Sequence, residues 1–266
     1  MTTPRFRALV LRAAGTNCEQ ETVHALETAG ASAEVWHVNR WIAEPHALED
    51  VQLLVFPGGF TFGDDVASGA VFAYTVEKRL REQLDAFVAR GGYVLGICNG
   101  FQVLVRLGLL PASTEGEATL AHNHSGRYED RWVRLRSGSN PGPWLAPDTE
   151  YWMPVAHAEG RFDWVPHESG AAFPEGQVAL RYTGESDPPG YPENPNGAHD
   201  AIAGVTNPSG TVLGLMPHPE RFLKAVHHPA WTRYRPSPGE CPGEKDLPVP
   251  LGLDLFRRIV ASATNA

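Results

Sequence analysis

A thiol set between two glycines is the first feature with the type and spacing for chemistry, in the run Val94-Leu95-Gly96-Ile97-Cys98-Asn99-Gly100-Phe101-Gln102. The apolar residues before Cys98 read as a buried strand, Gly96-x-Cys98-x-Gly100 as a tight turn, and Phe101 to Leu107 as the start of a helix. This is the spacing of a nucleophile elbow, where glycines on both sides of the nucleophile let the backbone turn sharply without side-chain clashes. At a helix N-terminus, free N–H groups and a partial positive charge favour thiolate over thiol. The alternative is a small buried hydrophobe after a core strand, the commoner fate of a free cysteine.

A cysteine nucleophile needs a base to take and return its proton, and the base needs a third group to hold its ring. Met216-Pro217-His218-Pro219-Glu220 follows an apolar strand and offers an imidazole and a carboxylate two residues apart, with prolines stiffening the turn. A His-Pro-Glu tripeptide alone is a weak signal. It gains weight beside the elbow and beside Pro57-Gly58-Gly59-Phe60, whose adjacent glycines free the backbone to aim N–H groups at a ligand, as in an oxyanion hole. Taken alone, Pro-Gly-Gly reads rather as a plain turn.

The elements that must position these groups alternate. Phe6 to Leu11 suits a first, central strand and runs into the small-residue turn Ala13 to Asn17. A helix from about Cys18 to Ala29 stops at Gly30, and Ala33 to Val38 and Leu53 to Phe56 are further strands. The spacing of Leu80, Leu84, Phe87 and Val88 predicts one helix over Glu77 to Arg90, halted by Gly91-Gly92. The pattern implies an α/β fold, a mostly parallel sheet with helices on both faces, in which ligands gather at the carboxyl ends of the strands. Beyond Gly108 the character changes. Trp132 to Leu135, Tyr151 to His157, Gln177 to Tyr182, Ala201 to Val205 and Thr211 to Met216 read as strands, predicting an antiparallel or mixed extension of the sheet. A Pro-, Gly- and Asn-rich loop from Gly184 to Gly197 suggests a lid or docking surface. An irregular proline-rich excursion is expected at about 228–251, and then a final helix from Asp254 to Ala263 burying Leu255, Ile259 and Val260.

The whole chain sets bounds. Its 266 residues, 42% hydrophobic, are expected to form a single domain over 1–266. A formal net charge of −9 without a lysine- or arginine-rich run opposes nucleic-acid binding. No window approaches the roughly 18 to 20 apolar residues of a membrane span, and Met1 to Arg5 lacks the features of a secretion signal, so a cytoplasmic location is expected. Three distant cysteines suggest neither a disulfide framework nor a zinc knuckle. His122-x-His124 and His227-His228 lack a third ligand at sensible spacing, so no metal is expected. Cys18 and Cys241 read as structural.

Together, Gly96 to Gln102 and Met216 to Glu220 resemble the class I glutamine amidotransferase family, whose Cys-His-Glu triad hydrolyses glutamine to glutamate and ammonia. Within it, Gly15-Thr16-Asn17-Cys18, Pro57 to Phe60 with Gly63-Asp64, Asn123 to Arg127, Val155 to Gly160, Asn194 to Gly197 and Ile202 to Asn207 are similar to the small glutaminase subunits of purine biosynthesis. The resemblance implies a flavodoxin-like fold, Cys98 as nucleophile, His218 as base and then acid, and Glu220 as the group orienting His218. It implies an oxyanion hole from the N–H groups of Gly59 and Asn99, and glutamine contacts from Gln102, Asn123, Ser125, His157 and Glu159. The implied partners are a synthetase subunit, which would carry ATP and magnesium and convert formylglycinamide ribonucleotide to its amidine, and a small accessory subunit. No cofactor is implied for this chain, which has nothing like a phosphate loop. Ala14, Phe62 and Ala198 stand where the family usually has proline, tyrosine and serine, and none is in the triad. The alternatives are an amidotransferase for another acceptor, a γ-glutamyl hydrolase, or a regulatory scaffold with a silent triad.

Overall fold

The computed structural model describes residues 6–234 and 251–264. Among the described residues nine strands form one sheet: β1 (Arg7–Arg12), β2 (Ser32–His37), β3 (Leu53–Phe56), β4 (Tyr93–Ile97), β6 (Glu129–Ser137), β7 (Glu150–His157), β9 (Val178–Thr183), β10 (Ile202–Thr206) and β11 (Val212–Leu215). Their order is β2-β1-β3-β4-β11-β10-β9-β6-β7, so β1 is an interior strand next to the edge strand β2. The first five are mutually parallel in the flavodoxin-like order, with β11 in the fifth place. The remaining four extend the sheet by antiparallel pairing, as the change of pattern after Gly108 predicts.

Burial explains the sequences of these strands. Leu53 to Phe56 and Val212 to Leu215 are buried at every residue, as parallel strands covered on both faces must be. β7 instead alternates, burying Tyr151, Met153, Val155 and His157. Helices α1 (Glu19–Thr28), α2 (Val38–Ala43), α3 (Ala70–Arg79), α4 (Arg81–Ala89), α5 (Asn99–Arg106) and α6 (Leu253–Thr264) complete the layers. The β1-α1-β2 crossover runs to one side of β1 and the β3-α3-α4-β4 crossover to the other. Right-handed connections therefore place α1 and α3 on opposite faces. α6 packs on α1, with Leu255, Ile259 and Val260 buried as expected.

Two expectations need correction. The helix predicted over Glu77 to Arg90 is two helices, broken at Leu80 (φ −137°, ψ 4°), and the first begins at Ala70. No glycine or proline marks the break. Arg81 braces it, bonding Glu77, Asp85 and the carbonyl of Leu107, so tertiary contacts decide it rather than local propensity. In addition, β5 (Gly116–Ala121) and β8 (Arg161–Pro166) pair into a separate antiparallel ribbon. The ribbon covers α5, where Phe162 stacks on Phe101 with centroids 6.2 Å apart. Of the excursion at 228–251, residues 235–250 lie outside the described residues.

Candidate active site

Cys98 lies between β4 and α5 with φ 51° and ψ −104°, a conformation that costs about 1–3 kcal/mol outside glycine. Its neighbours hold it there. The Cys98 N–H donates to the Leu215 carbonyl at 2.8 Å, and its own carbonyl accepts from Gln102 N–H at 3.2 Å. The flanking glycines permit close approach: a Cβ on Gly100 would lie 1.8 Å from the Phe56 carbonyl oxygen, and one on Gly96 would lie 2.6 Å from Leu104 Cδ1. α5 can therefore start directly against β3 and β4. The Sγ atom is buried beside the Ala156 carbonyl, at 3.6 Å.

β11 pairs with β4 in register, Leu213 with Leu95 and Leu215 with Ile97, so the turn after β11 emerges beside the elbow. There His218 Nδ1 lies 2.6 Å from Glu220 Oε1. A carboxylate only accepts, so Nδ1 carries the proton and Nε2 is left for chemistry. The His218 N–H is fixed to the Pro154 carbonyl on β7 at 2.8 Å. Burial opposes a charged ring, but the Glu220 carboxylate and then Cys98 outweigh it and hold the proton affinity of His218 well above that of a free imidazole. Nε2 makes no hydrogen bond in this resting arrangement among the described residues.

The Gly58-Gly59 turn after β3 is zipped to the 14–18 turn after β1: Phe60 N–H donates to Gly15, Phe62 N–H to Ala14 and Cys18 N–H to Gly58. Gly59 has φ +140°, and a Cβ there would meet Asn17 N at 2.8 Å, so only glycine fits. Asn99 opens α5, where the first N–H groups have no intrahelical acceptor. Its side chain is spent on the 61–64 turn and on Gln102, accepting from Thr61 Oγ1 at 2.6 Å and donating to Asp64 and Gln102.

Gln102, Asn123, His157 and Glu159 come together in one buried network. Gln102 donates to the Glu159 carbonyl, and the Glu159 carboxylate accepts from Ser68 N–H. Asn123 accepts from His157 Nδ1 and Gly160 N–H and donates to the carbonyls of Arg127 and His157. Three of these four bonds serve the 157–160 turn, and the fourth ties it to Arg127. Ser125 stands apart: its hydroxyl donates to Glu129 at 2.6 Å, in the wall of an open cleft of about 590 Å³ beside the 184–197 loop. A second cleft of the same volume is lined by Arg136, Asp148 and Arg181, and neither cleft has Cys98, His218 or Glu220 in its lining.

Three features escape sequence reasoning. Cys18 packs against the His218–Glu220 pair, with one ligand atom of each of the three within 4.8 Å of the others. That spacing could hold a metal, yet the His218 Nδ1 proton is committed to Glu220, and Arg221 Nη2 donates to Cys18 Sγ at 3.2 Å; a cation would have to displace both. Phe60 and Tyr128, both about half exposed, stack with centroids 6.3 Å apart, and Tyr128 lies close enough to feel the charge of Cys98 and His218. Asn196 is fully buried and donates to the Gly160 carbonyl and the Tyr182 hydroxyl.

Residues 5–260 match the CobB/CobQ-like glutamine amidotransferase domain. The chain belongs to this glutamine amidotransferase family. Among the relatives of this amidotransferase, the phosphoribosylformylglycinamidine synthase subunit PurQ of Dehalococcoides mccartyi is 40% identical, over 85% of this chain and 89% of the relative. That of Archaeoglobus fulgidus is 41% identical, over 81% and 87%. The amidotransferase also matches a chain in the structure of PurLQS from Thermotoga maritima, with TM-score 0.71 and 30% identity over 97% of this chain and 99% of that one. Among the described residues no helix is long and apolar enough to cross a membrane.

Proposed function

We propose that this chain is the glutaminase subunit of a phosphoribosylformylglycinamidine synthase. The observation that carries the chemistry is the buried His218–Glu220 pair, delivered by β11 beside the strand that ends in Cys98. The Cys98 sulfur attacks the side-chain amide carbon of glutamine, and the carbonyl oxygen becomes an oxyanion facing the N–H groups of Gly59 and Asn99. His218 Nε2 takes the thiol proton as the sulfur attacks and gives it to the leaving nitrogen, and ammonia departs from a glutamyl thioester. His218 then takes a proton from water, whose oxygen attacks the thioester carbon, and returns that proton to the departing sulfur, leaving glutamate and the free thiol. Glu220 holds the ring and stabilises its charged form. Because the Asn123 side chain is fully engaged, the glutamine is held chiefly by backbone groups of the 157–160 turn, with Gln102 and Glu159 bracing that turn. Ser125, bonded to Glu129, supports this wall from outside.

The identity and coverage of the PurQ relatives support the acceptor: ammonia passes to a synthetase subunit that binds ATP, magnesium and formylglycinamide ribonucleotide, with a small accessory subunit, in the cytoplasm. The sheet running through both halves supports one domain. The test is Cys98→Ala in the complex with the synthetase subunit. Glutamine-dependent synthesis should vanish while synthesis from added ammonia persists. Loss of both would make Cys98 structural. Unchanged glutamate release on adding synthetase, ribonucleotide and ATP would send the ammonia to another acceptor, or mark a γ-glutamyl hydrolase. No turnover alone or in complex would leave a silent scaffold.

A further inference from the structure

Glu220 is fully buried, and its second oxygen, Oε2, has no hydrogen-bond partner among the described residues. A bare buried carboxylate oxygen is costly. Two groups that could fill it stand close by. Cys18 Sγ is within the 4.8 Å cluster, and Arg221 is the next residue in the chain. Neither does so. The Cys18 thiol donates to Asn17 Oδ1 at 3.1 Å, while its sulfur accepts from Arg221 Nη2 at 3.2 Å. The other edge of the guanidinium, Nε, donates to Glu21 Oε2 at 3.0 Å. Arg221 is therefore held at two points, both on the segment that opens α1. The Gly58 turn fixes this packing from behind, since a Cβ there would lie 2.9 Å from His218 Cε1 and 3.1 Å from Cys18 Sγ.

We propose that Cys18, with Glu21, is a positioning residue that parks the Arg221 guanidinium away from Glu220, so that the carboxylate keeps its full charge for the His218 imidazolium. This rests on the reading of His218 as the base. A guanidinium bonded to Glu220 would share that charge and weaken the hold on His218. A thiol suits the task because sulfur is a weak acceptor, enough to orient an arginine without competing for its charge. Burial, the largest influence on Cys18, keeps it a neutral thiol. The charged and titratable groups facing His218 are Glu220 on its own turn, Cys18 at the head of α1, which itself raises the proton affinity of His218, Cys98 on the elbow, His157 on β7 and Tyr128 before β6; Arg221 and Glu21 lie beyond Cys18.

The test uses the full chain, with Cys18→Ala, Glu21→Gln and the double variant Cys18→Ala/Arg221→Met. Two readouts are followed against pH: glutamine kcat/KM in the complex, and titration of the His218 imidazole by NMR. Releasing Arg221 should move the alkaline limb and the His218 titration down by about one pH unit in Cys18→Ala, a tenfold change in proton affinity. Glu21→Gln should move both the same way by less, and it opens no cavity if Cys18→Ala fails to fold. Removing the guanidinium in the double variant should restore both. Lower activity with an unmoved His218 titration, or a shift that Arg221→Met does not reverse, would overturn the proposal and leave Cys18 as packing. If the chain turned over no glutamine, the proposed function would fail, while the His218 titration would still decide this proposal.

Discussion

Gly100→Ala tests whether the closeness of α5 to β3 is what builds the elbow. In an ordinary helix this change stabilises by up to about 1 kcal/mol, because alanine is the better helix former. Here the new Cβ would lie 1.8 Å from the Phe56 carbonyl oxygen, 2.6 Å from its carbon and 2.9 Å from the Phe56 Cβ. The obstacle is backbone in a fully buried strand and cannot rotate away. Restoring ordinary contact requires the head of α5 to retreat by about 1.5 Å, and overpacking of this kind costs about 1–3 kcal/mol or more. The clash outweighs the propensity gain. The same retreat carries Cys98 and the Asn99 N–H away from Gly59 and His218, and a misplacement near 1 Å costs about 10²-fold in rate. Urea unfolding should show net destabilisation of about 1–3 kcal/mol, and glutamine kcat should fall about 10²-fold in whatever fraction remains folded. Gly108→Ala is the control: its φ is +70°, but nothing lies within 4 Å of the added Cβ, so it should cost stability and spare kcat. A Gly100→Ala chain within threefold of wild-type kcat would refute the geometric argument.

Three further outcomes follow from the site. Glu220→Gln should reduce glutamine turnover far less than Cys98→Ala, by a margin of at least about tenfold, because orienting groups contribute less than the nucleophile; equal losses in steady-state kinetics would give Glu220 a direct chemical role. Burial, helped by the charge of His218, pushes His157 down to about 4 from the ordinary 6.5. The unfolded chain then binds a proton that the folded chain refuses, so this stability is complete above about pH 6.5 and is lost as pH falls towards 4. His157→Gln should remove about 2 kcal/mol of the difference between urea unfolding at pH 7 and at pH 5; an unchanged difference would acquit His157. Asn196→Ala breaks bonds to Gly160, Tyr182 and Ala198 N–H, and should cost about 2–4 kcal/mol while raising the glutamine KM more than it lowers kcat, with a pure kcat defect counting against the link to the 157–160 turn.

The Cys98 elbow and the His218–Glu220 turn were legible because each needs a local signature. Glycines must stand where α5 nears Phe56, and prolines frame the turn that presents His218. β3 was readable to the residue, since a short run buried on both faces ends sharply at Pro57. The helix break at Leu80 was not, because Arg81 makes it through Leu107, a contact between distant parts of the chain. β8 carries an alternating pattern, with Phe162 and Trp164 buried, that its few residues left ambiguous, whereas β5, Gly116 to Ala121, lacks β-branched residues except Thr119. Cys18 gives no local sign of its role. Only the strand order β1-β3-β4-β11, which gathers the carboxyl ends of β1 and β11 at one end of the sheet, brings it to His218.

The seating of β11 between β4 and β10 governs the history of each molecule as well as its chemistry. A nascent chain completes β1 to β4 and the thiol elbow long before Val212 to Leu215 have been synthesised. Until β11 inserts, β4 carries an open apolar edge at Val94, Leu95 and Ile97, and Cys98 lacks the base proposed for it. The pairing of β11 with β4 covers that edge and brings His218 beside the thiol in the same step. A chain stalled before it would be both inert and sticky, so quality control would meet an incomplete enzyme as an aggregation-prone strand and never as a leaking source of ammonia.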